Sequence, residues 1–188
     1  MDENVPVIIS AYAEPDAPEA VQFYRWLGIC VSTWAFVDRH LYQLFHHASG
    51  SDQLQSATLF YKDRAFKGRL GMTDRGLKAT FNTGECEAEW RPLHDEARDL
   101  SYTRNVFAHH PVLRLATSKS GMAFDIYSIH IEPYERILNN NYPGLLGKTE
   151  LRIEDLKDHN EKTENLVERL HKFAWRVGGW RAAMKSSP

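Results

Sequence analysis

The segment WLGICVSTWAFVDRHLYQLF, Trp26–Phe45, decides the fold class, because its apolar residues return at steps of three and four. That spacing places them on one face of a helix, whereas a half-buried strand would alternate in steps of two. The recurring residues are Trp26, Ile29, Cys30, Thr33, Trp34, Val37, Leu41, Leu44 and Phe45. We therefore predict a long amphipathic helix from about Pro18 to Ser49–Gly50.

Two shorter helices are predicted to follow this one. The first starts at Ser51 or Asp52, since either side chain can cap a helix, and runs through Tyr61. The second covers about residues 65–82 and contains three glycines, each of which costs about 1 kcal/mol against alanine inside a helix.

Two further long helices are predicted in the second half of the chain. One begins near Gly84, where acidic residues suit the positive end of the helix dipole, and ends at His109 or His110 before Pro111. The other runs from Ile153 to about Lys185, with Gly178–Gly179 as a place where it could kink or end.

The segments between and before these helices are predicted to be extended or irregular. Val112–Ala116 and Met122–Ile131 alternate in part and flank a turn at residues 118–121, which indicates a β-hairpin. Residues 1–16 are predicted to be an irregular or extended arm, and residues 135–150 a loop. The predicted fold is mainly α: one domain, residues 1–188, forming a helical bundle of four to five helices with a hairpin insert at 112–132 and a C-terminal helix at 153–185.

Composition points to a globular protein that is neither secreted nor membrane-bound. The chain has 188 residues, 43% of them apolar and 26% charged, and its longest uncharged run is shorter than the roughly 20 residues that cross a bilayer. The acidic N-terminal residues do not resemble a secretory signal, and two cysteines show no metal-binding or disulfide spacing. We therefore expect a cytoplasmic protein with no membrane partner.

An arginine interrupts the apolar row of the helix predicted at 84–110. Leu93, Ala97, Leu100 and Phe107 follow one another at helical steps, and Arg104 occupies the missing position. Because arginine keeps its charge, its side chain must reach solvent, pair with an acid or bind an anion in a cleft. Asp38 lies in a comparable apolar row of the first helix, so we predict that Asp38 lies near Arg104.

A polar row runs beside Arg104 on the same helix. Ser101, Asn105 and His109 recur every four residues, and His109 falls in the last turn, where helix carbonyls favour a charged imidazole. Arg104 and His109 are about 140° apart on an ideal helix, yet the long arginine stem allows both to border one cleft. His110 points elsewhere, and adjacent histidines chelate poorly, so we predict neither a metal site nor another cofactor.

The sequence RNVFAH, Arg104–His109, resembles the signature of HEPN domains, an arginine followed after four to six residues by a histidine. The likeness is specific over these residues and looser over the helical frame from about 20 to 110. It implies an all-helical, metal-independent ribonuclease of toxin–antitoxin or other defence systems that acts as a homodimer. Such an enzyme would cleave RNA, for example tRNA or mRNA, by attack of the 2′-OH, leave 2′,3′-cyclic phosphate ends and be opposed by an antitoxin protein.

The resemblance assigns roles to particular side chains. Proton transfer falls to His109, phosphate binding to Arg104, and orientation of the phosphate or the imidazole to Asn105. Supporting roles are expected for Asp38, Ser101 and His110.

A basic segment could contact RNA, although the net charge of −2 supplies no overall attraction. Its candidate RNA-binding residues are Lys62, Arg64, Lys67 and Arg69. The alternative for these residues is an ordinary solvated surface. The five tryptophans are expected in the core or an interface, although an exposed one could stack a base.

Two other functions remain open at this point. The chain could be a non-catalytic helical module that binds RNA, a nucleotide or a protein partner through the same cleft. It could also be a dimeric scaffold in which Arg104 and Asp38 form an internal ion pair.

Overall fold

The computed structural model describes residues 7–18, 20–118, 125–131 and 150–186, and within them the chain forms five helices and three strands. The helices are α1 Val21–Ser49, α2 Gln53–Lys62, α3 Phe66–Thr80, α4 Gly84–His109 and α5 Ile153–Ser186. The strands are β1 Val7–Tyr12, β2 Val112–Ser118 and β3 Asp125–Ile131. The protein is thus mainly helical, as predicted. In the described ranges, none of the helices combines the length and apolar character needed to cross a membrane.

Local side-chain chemistry sets several helix ends where the sequence predicted them. Asp52 caps α2, since its Oδ1 accepts the backbone N–H groups of Leu54 at 2.9 Å and Gln55 at 3.0 Å. The hydroxyl of Thr83 accepts the N–H of Cys86 at 3.2 Å at the start of α4. Gly50 adopts a φ of +65° directly after α1, a conformation that glycine reaches at little cost.

Glycines inside α3 and α5 do not end these helices. The helix α3 continues through all three of its glycines, and α5 continues through Gly178–Gly179 to Ser186, so the suggestion that this pair ends the helix was wrong. Tertiary packing explains one of these positions. A Cβ on Gly76 would lie 3.3 Å from the Cβ of Ala48, so the glycine allows α3 to approach α1 closely.

The strands form one antiparallel sheet in the order β1–β2–β3. The predicted hairpin is confirmed: Val112 pairs with Ile131, and the register shifts between Leu115 and Ala116. The expected N-terminal arm differs, because its residues 7–12 form a strand that pairs with β2 from Val7–Ser118 to Tyr12–Leu113. Most of the predicted turn at 118–121 and of the loop at 135–150 lies outside the described residues.

The chain divides into two compact units, where the sequence predicted one domain. Unit 1 comprises residues 1–31 and 103–160, and unit 2 comprises residues 32–102 and 161–188. Each unit has its own apolar cluster. The cluster of unit 1 includes Phe23, Cys30, Val106, Phe107, Ile131 and Leu156. The cluster of unit 2 includes Trp34, Leu41, Phe60, Trp90, Leu166 and Phe173.

All three boundaries between the units fall inside helices. The helices α1, α4 and α5 each contribute residues to the two units. Domain boundaries usually lie in linkers rich in proline, glycine or polar residues. No such linker separates these two units. The amino-acid composition therefore could not indicate where one unit ends and the other begins.

We expect Asp52→Ala to lower the free energy of unfolding by about 1 kcal/mol, because two N–H groups at the start of α2 lose their acceptor. Asp52→Asn retains a capping oxygen and serves as the matched control. Urea denaturation measures the difference, and equal stability of both variants with the wild type would show that the cap contributes nothing.

Candidate functional site

Arg104 lies half-buried on α4, within unit 1. Its row has the burial that the sequence predicted, since Leu93, Ala97 and Phe107 are buried. The guanidinium donates one hydrogen bond, from Nη1 to Oδ1 of Asn105 at 3.2 Å. Its Nε is buried and, in the part of the chain that the structure describes, has no acceptor. A charged group is therefore held partly out of water with donor capacity unused.

Asn105, which the sequence predicted as an orienting residue of the site, contacts Arg104. Its side chain is half-buried beside the guanidinium, with the amide oxygen turned toward Nη1. This contact orients the arginine fork without neutralising it, because an amide carries no charge.

The two histidines at the end of α4 have different environments. His109 is the last residue of the helix and is exposed to solvent. His110 is half-buried, and its Nδ1 lies 3.1 Å from the carbonyl oxygen of Val106, to which it can donate. His110 thus caps the final turn, while the imidazole of His109 stays accessible.

Ser101 does not extend the site toward Asn105 and His109. Its hydroxyl is largely buried and donates to the carbonyl of Arg98 at 2.6 Å within the same helix. The predicted row of three polar residues therefore reduces to two, since Ser101 uses its donor on the helix backbone.

Asp38 pairs with Arg69 rather than with Arg104, the partner that the sequence suggested. In unit 2, Nε and Nη2 of Arg69 donate to the Asp38 carboxylate at 2.7–3.2 Å. Nη1 of Arg69 donates to the carbonyls of Asp63 and Arg64, each at 3.0 Å. All N–H donors of this guanidinium therefore have acceptors.

This pairing corrects the RNA-binding assignment of Arg69. A phosphate could reach its guanidinium only by displacing Asp38 or a backbone carbonyl, and its side chain is just 12% exposed. The other predicted basic residues, Lys62, Arg64 and Lys67, are exposed where α2 meets α3. Those three stay candidates for contact with RNA.

One buried imidazole of unit 1 was not among the site residues predicted from the sequence. His159 on α5 is 3% exposed, and its ring meets the ring of Phe107 edge-on at a centroid distance of 5.0 Å. Phe107 follows Arg104 by three residues and shares its helix face. No spacing in the sequence links residue 159 with α4, so only the fold could reveal this contact.

Two histidines of unit 2, His40 and His47, are buried or half-buried. His40 is 7% exposed, and its Nδ1 lies 2.8 Å from Oε1 of Gln43. Burial lowers the pKa of His40, the nearby His171 and Arg39 lower it further, and the hydrogen bond to Gln43 opposes them. The pKa of His47 is lowered by burial and then by His46.

Comparison with known proteins adds no relative. The chain gives no significant match to protein-family models, to curated proteins or to solved structures. Within the described ranges, no cluster of three or more His, Cys, Asp or Glu side chains could hold a metal ion.

We expect Arg104→Met to leave the free energy of unfolding unchanged or to raise it by about 1 kcal/mol, because the substitution removes a buried N–H without an acceptor. Arg69→Met is the matched comparison and should lower that free energy by about 2 kcal/mol, since it leaves the Asp38 carboxylate without its counterion. Urea denaturation compares the two. An equal loss in both variants would mean that Arg104 is a structural residue.

We expect the free energy of unfolding to fall as the pH drops below about 6.5. The pKa values of His40 and His47 are lower in the folded than in the unfolded chain, so the unfolded chain takes up protons first. Their contribution is complete above the unfolded pKa and is lost as the pH falls through the folded one. The double variant His40→Gln/His47→Gln should lose less stability between about pH 7.5 and about pH 5.5 in urea titrations. A loss as large as that of the wild type would refute this assignment.

Proposed function

We propose that this protein is a metal-independent endoribonuclease of the HEPN type, with Arg104, Asn105 and His109 at its active site. The observation that carries the proposal is the buried Nε of Arg104, which has no acceptor among the described residues. This guanidinium lies on the same helix as an exposed terminal imidazole.

A phosphodiester supplies what Arg104 lacks. Its two non-bridging oxygens match the planar fork of a guanidinium, and the negative charge compensates a cation that has no carboxylate partner among the described residues. Asn105 holds the fork through Nη1 and leaves the positive charge available. The ligand is therefore an anion with paired oxygens.

His109 supplies proton transfer. An exposed imidazole can accept the 2′-OH proton as that oxygen attacks phosphorus, and the P–O5′ bond then breaks. The 5′-oxygen must receive a proton as it leaves. The products are a 2′,3′-cyclic phosphate and a 5′-hydroxyl end.

The two proton transfers favour a homodimer. A base and an acid are both needed, while each chain contributes one exposed imidazole to this motif. A second copy facing the first supplies the other His109. This arrangement also agrees with the resemblance to HEPN domains.

Exposed basic residues of unit 2 are proposed to help bind the RNA substrate. Lys62, Arg64 and Lys67 are exposed and can contact the RNA backbone through phosphates. The substrate class is single-stranded or looped RNA such as tRNA or mRNA. A cytoplasmic toxin or defence component with a cognate antitoxin protein is the biological setting that fits this activity.

One observation favours a second function, a non-catalytic module that binds RNA, a nucleotide or a protein partner. No hydrogen bond among the described residues joins His109 to Arg104 or Asn105, and an ideal helix places His109 about 140° from Arg104. Under this alternative Arg104 binds the anion, and His109 is a surface residue without a role in binding.

Cleavage of mixed cellular RNA and tRNA in EDTA tests the enzyme. We expect the wild type to release 2′,3′-cyclic phosphate ends and His109→Ala to cleave about 10²–10⁴-fold more slowly, because it lacks the proton-transfer group. Arg104→Lys should also be impaired, since an ammonium cannot bind phosphate through two parallel hydrogen bonds. Arg75→Ala, which removes an exposed arginine of unit 2, is the matched control and should cleave normally.

Two results would decide against the enzyme. Equal cleavage by the wild type, His109→Ala and Arg104→Lys would mean that the activity comes from elsewhere. RNA binding without cleavage, weakened in Arg104→Lys and unchanged in His109→Ala, would establish the binding module instead.

A further inference from the structure

A cavity of about 600 Å³ lies within unit 2 and is formed by α1 and α5. Its lining residues are Gln43, His47, His171, Ala174, Trp175, Gly178 and Gly179. This volume falls within the range of about 300–1,000 Å³ that is usual for small-molecule sites. Among the residues that the structure describes, no aspartate, glutamate, lysine or arginine lines it, so the cavity wall suits an uncharged part of a ligand.

Trp175 presents an open aromatic face at this cavity. Trp175 is 73% exposed, so it lies outside the core, where the sequence predicted that tryptophans lie unless they belong to an interface. The ring of His171 meets it edge-on, with 6.3 Å between ring centroids. An exposed indole with a fixed neighbour can stack a flat ring.

Two successive glycines open the wall of the cavity. A Cβ on Gly178 would lie 3.2 Å from Nε2 of His47, so the glycine lets this imidazole lie against the helix backbone. A Cβ on Gly179 would meet nothing within 4 Å. Glycine is disfavoured inside helices, so helix formation does not explain this pair. The two glycines instead leave the backbone of α5 accessible from the cavity.

Uncharged hydrogen-bonding groups border the same space. The amide oxygen of Gln43 is engaged by Nδ1 of His40, which turns the NH₂ group of the amide the other way. The imidazole of His47 carries little charge near neutral pH, because burial lowers its pKa. An amide and an imidazole can recognise the edge of a flat heterocycle through hydrogen bonds.

A cation without an acceptor lies next to this group of residues. Arg181 follows Gly178 by three residues on α5, and its guanidinium occupies the space where a Cβ of Gly50 would lie. Gly50 itself follows His47 by three residues at the end of α1. The Nε of Arg181 is buried, and within the described ranges it has no hydrogen-bond partner.

We propose that this cavity binds a small aromatic anion, with a flat ring stacked on Trp175 beside Gly179 and a phosphate or carboxylate bound by Arg181. The anion supplies the acceptor that Arg181 lacks, and the ring covers the exposed indole. This site shares no residue with the proposed ribonuclease site, so either proposal can fail without the other.

Isothermal titration calorimetry of the full chain tests the site with matched ligands. Adenosine 5′-monophosphate and indole-3-carboxylate combine a ring with an anion, whereas adenosine and inorganic phosphate each supply one half. We expect one of the combined ligands to bind at least about 10-fold more tightly than either half, since stacking and ion pairing both contribute. The stronger of the two identifies the source of the anion as a nucleotide or an aromatic acid.

The affinities of substituted proteins show whether the ligand binds in this cavity. Gly179→Leu adds a side chain at the cavity wall, where a Cβ meets nothing within 4 Å, and should abolish binding, while Trp175→Ala and Arg181→Gln should each weaken it about 10-fold. Gly28→Leu is the matched control, because a Cβ at that exposed position of α1 also meets nothing within 4 Å and lies outside the cavity. His109→Ala should bind like the wild type.

Three results would overturn the proposal. They are no binding of either combined ligand at millimolar concentration, binding of the stronger combined ligand that is no tighter than that of adenosine or inorganic phosphate, and wild-type affinity in Gly179→Leu. Thermal melting checks that Gly179→Leu is folded. If it is not, Trp175→Ala decides, because that side chain is largely exposed and its removal leaves the core intact.

Discussion

A guanidinium keeps its charge in a folded protein, and each of its N–H groups needs an acceptor or water. Arg69 meets this requirement within unit 2, where Asp38 and two backbone carbonyls accept all its donors and tie α1 to α3. Arg104 and Arg181 do not, since each has a buried Nε without an acceptor among the described residues. Arg69 is therefore a structural residue because its donors are all accepted within the protein. Arg104 and Arg181 are suited to bind an anion because each has a buried donor without an acceptor among the described residues.

The two proposed sites belong to different units and differ in chemistry. In unit 1, Arg104 and Asn105 lie one to two turns before the exposed imidazole at the end of α4, which suits a phosphodiester and proton transfer. In unit 2, a cavity whose described lining contains no aspartate, glutamate, lysine or arginine has an aromatic face and a neighbouring cation, which suits a small ligand with a ring and an anion. Each unit has its own apolar cluster to support its site.

Much of the proposed site around Arg104 could be predicted from the sequence, because its members lie on one helix. Helical periodicity alone placed Arg104 in an apolar row and His109 in a terminal turn. The partner of Asp38 could not be predicted in this way, since a row on one helix does not specify which residue of another helix it meets. The same limit hid the contact between His159 and Phe107 and the cavity beside Trp175.

The sequence by itself determined the mainly helical class, the cap at Asp52 and the β2–β3 hairpin, because each depends on residues close together in the chain. Only the tertiary structure decided that residues 7–12 join the sheet, that Asp38 binds Arg69 and that two apolar clusters share three helices. Those features depend on contacts between distant residues. Such contacts are set by how whole surfaces pack, and no local pattern of residue types encodes them.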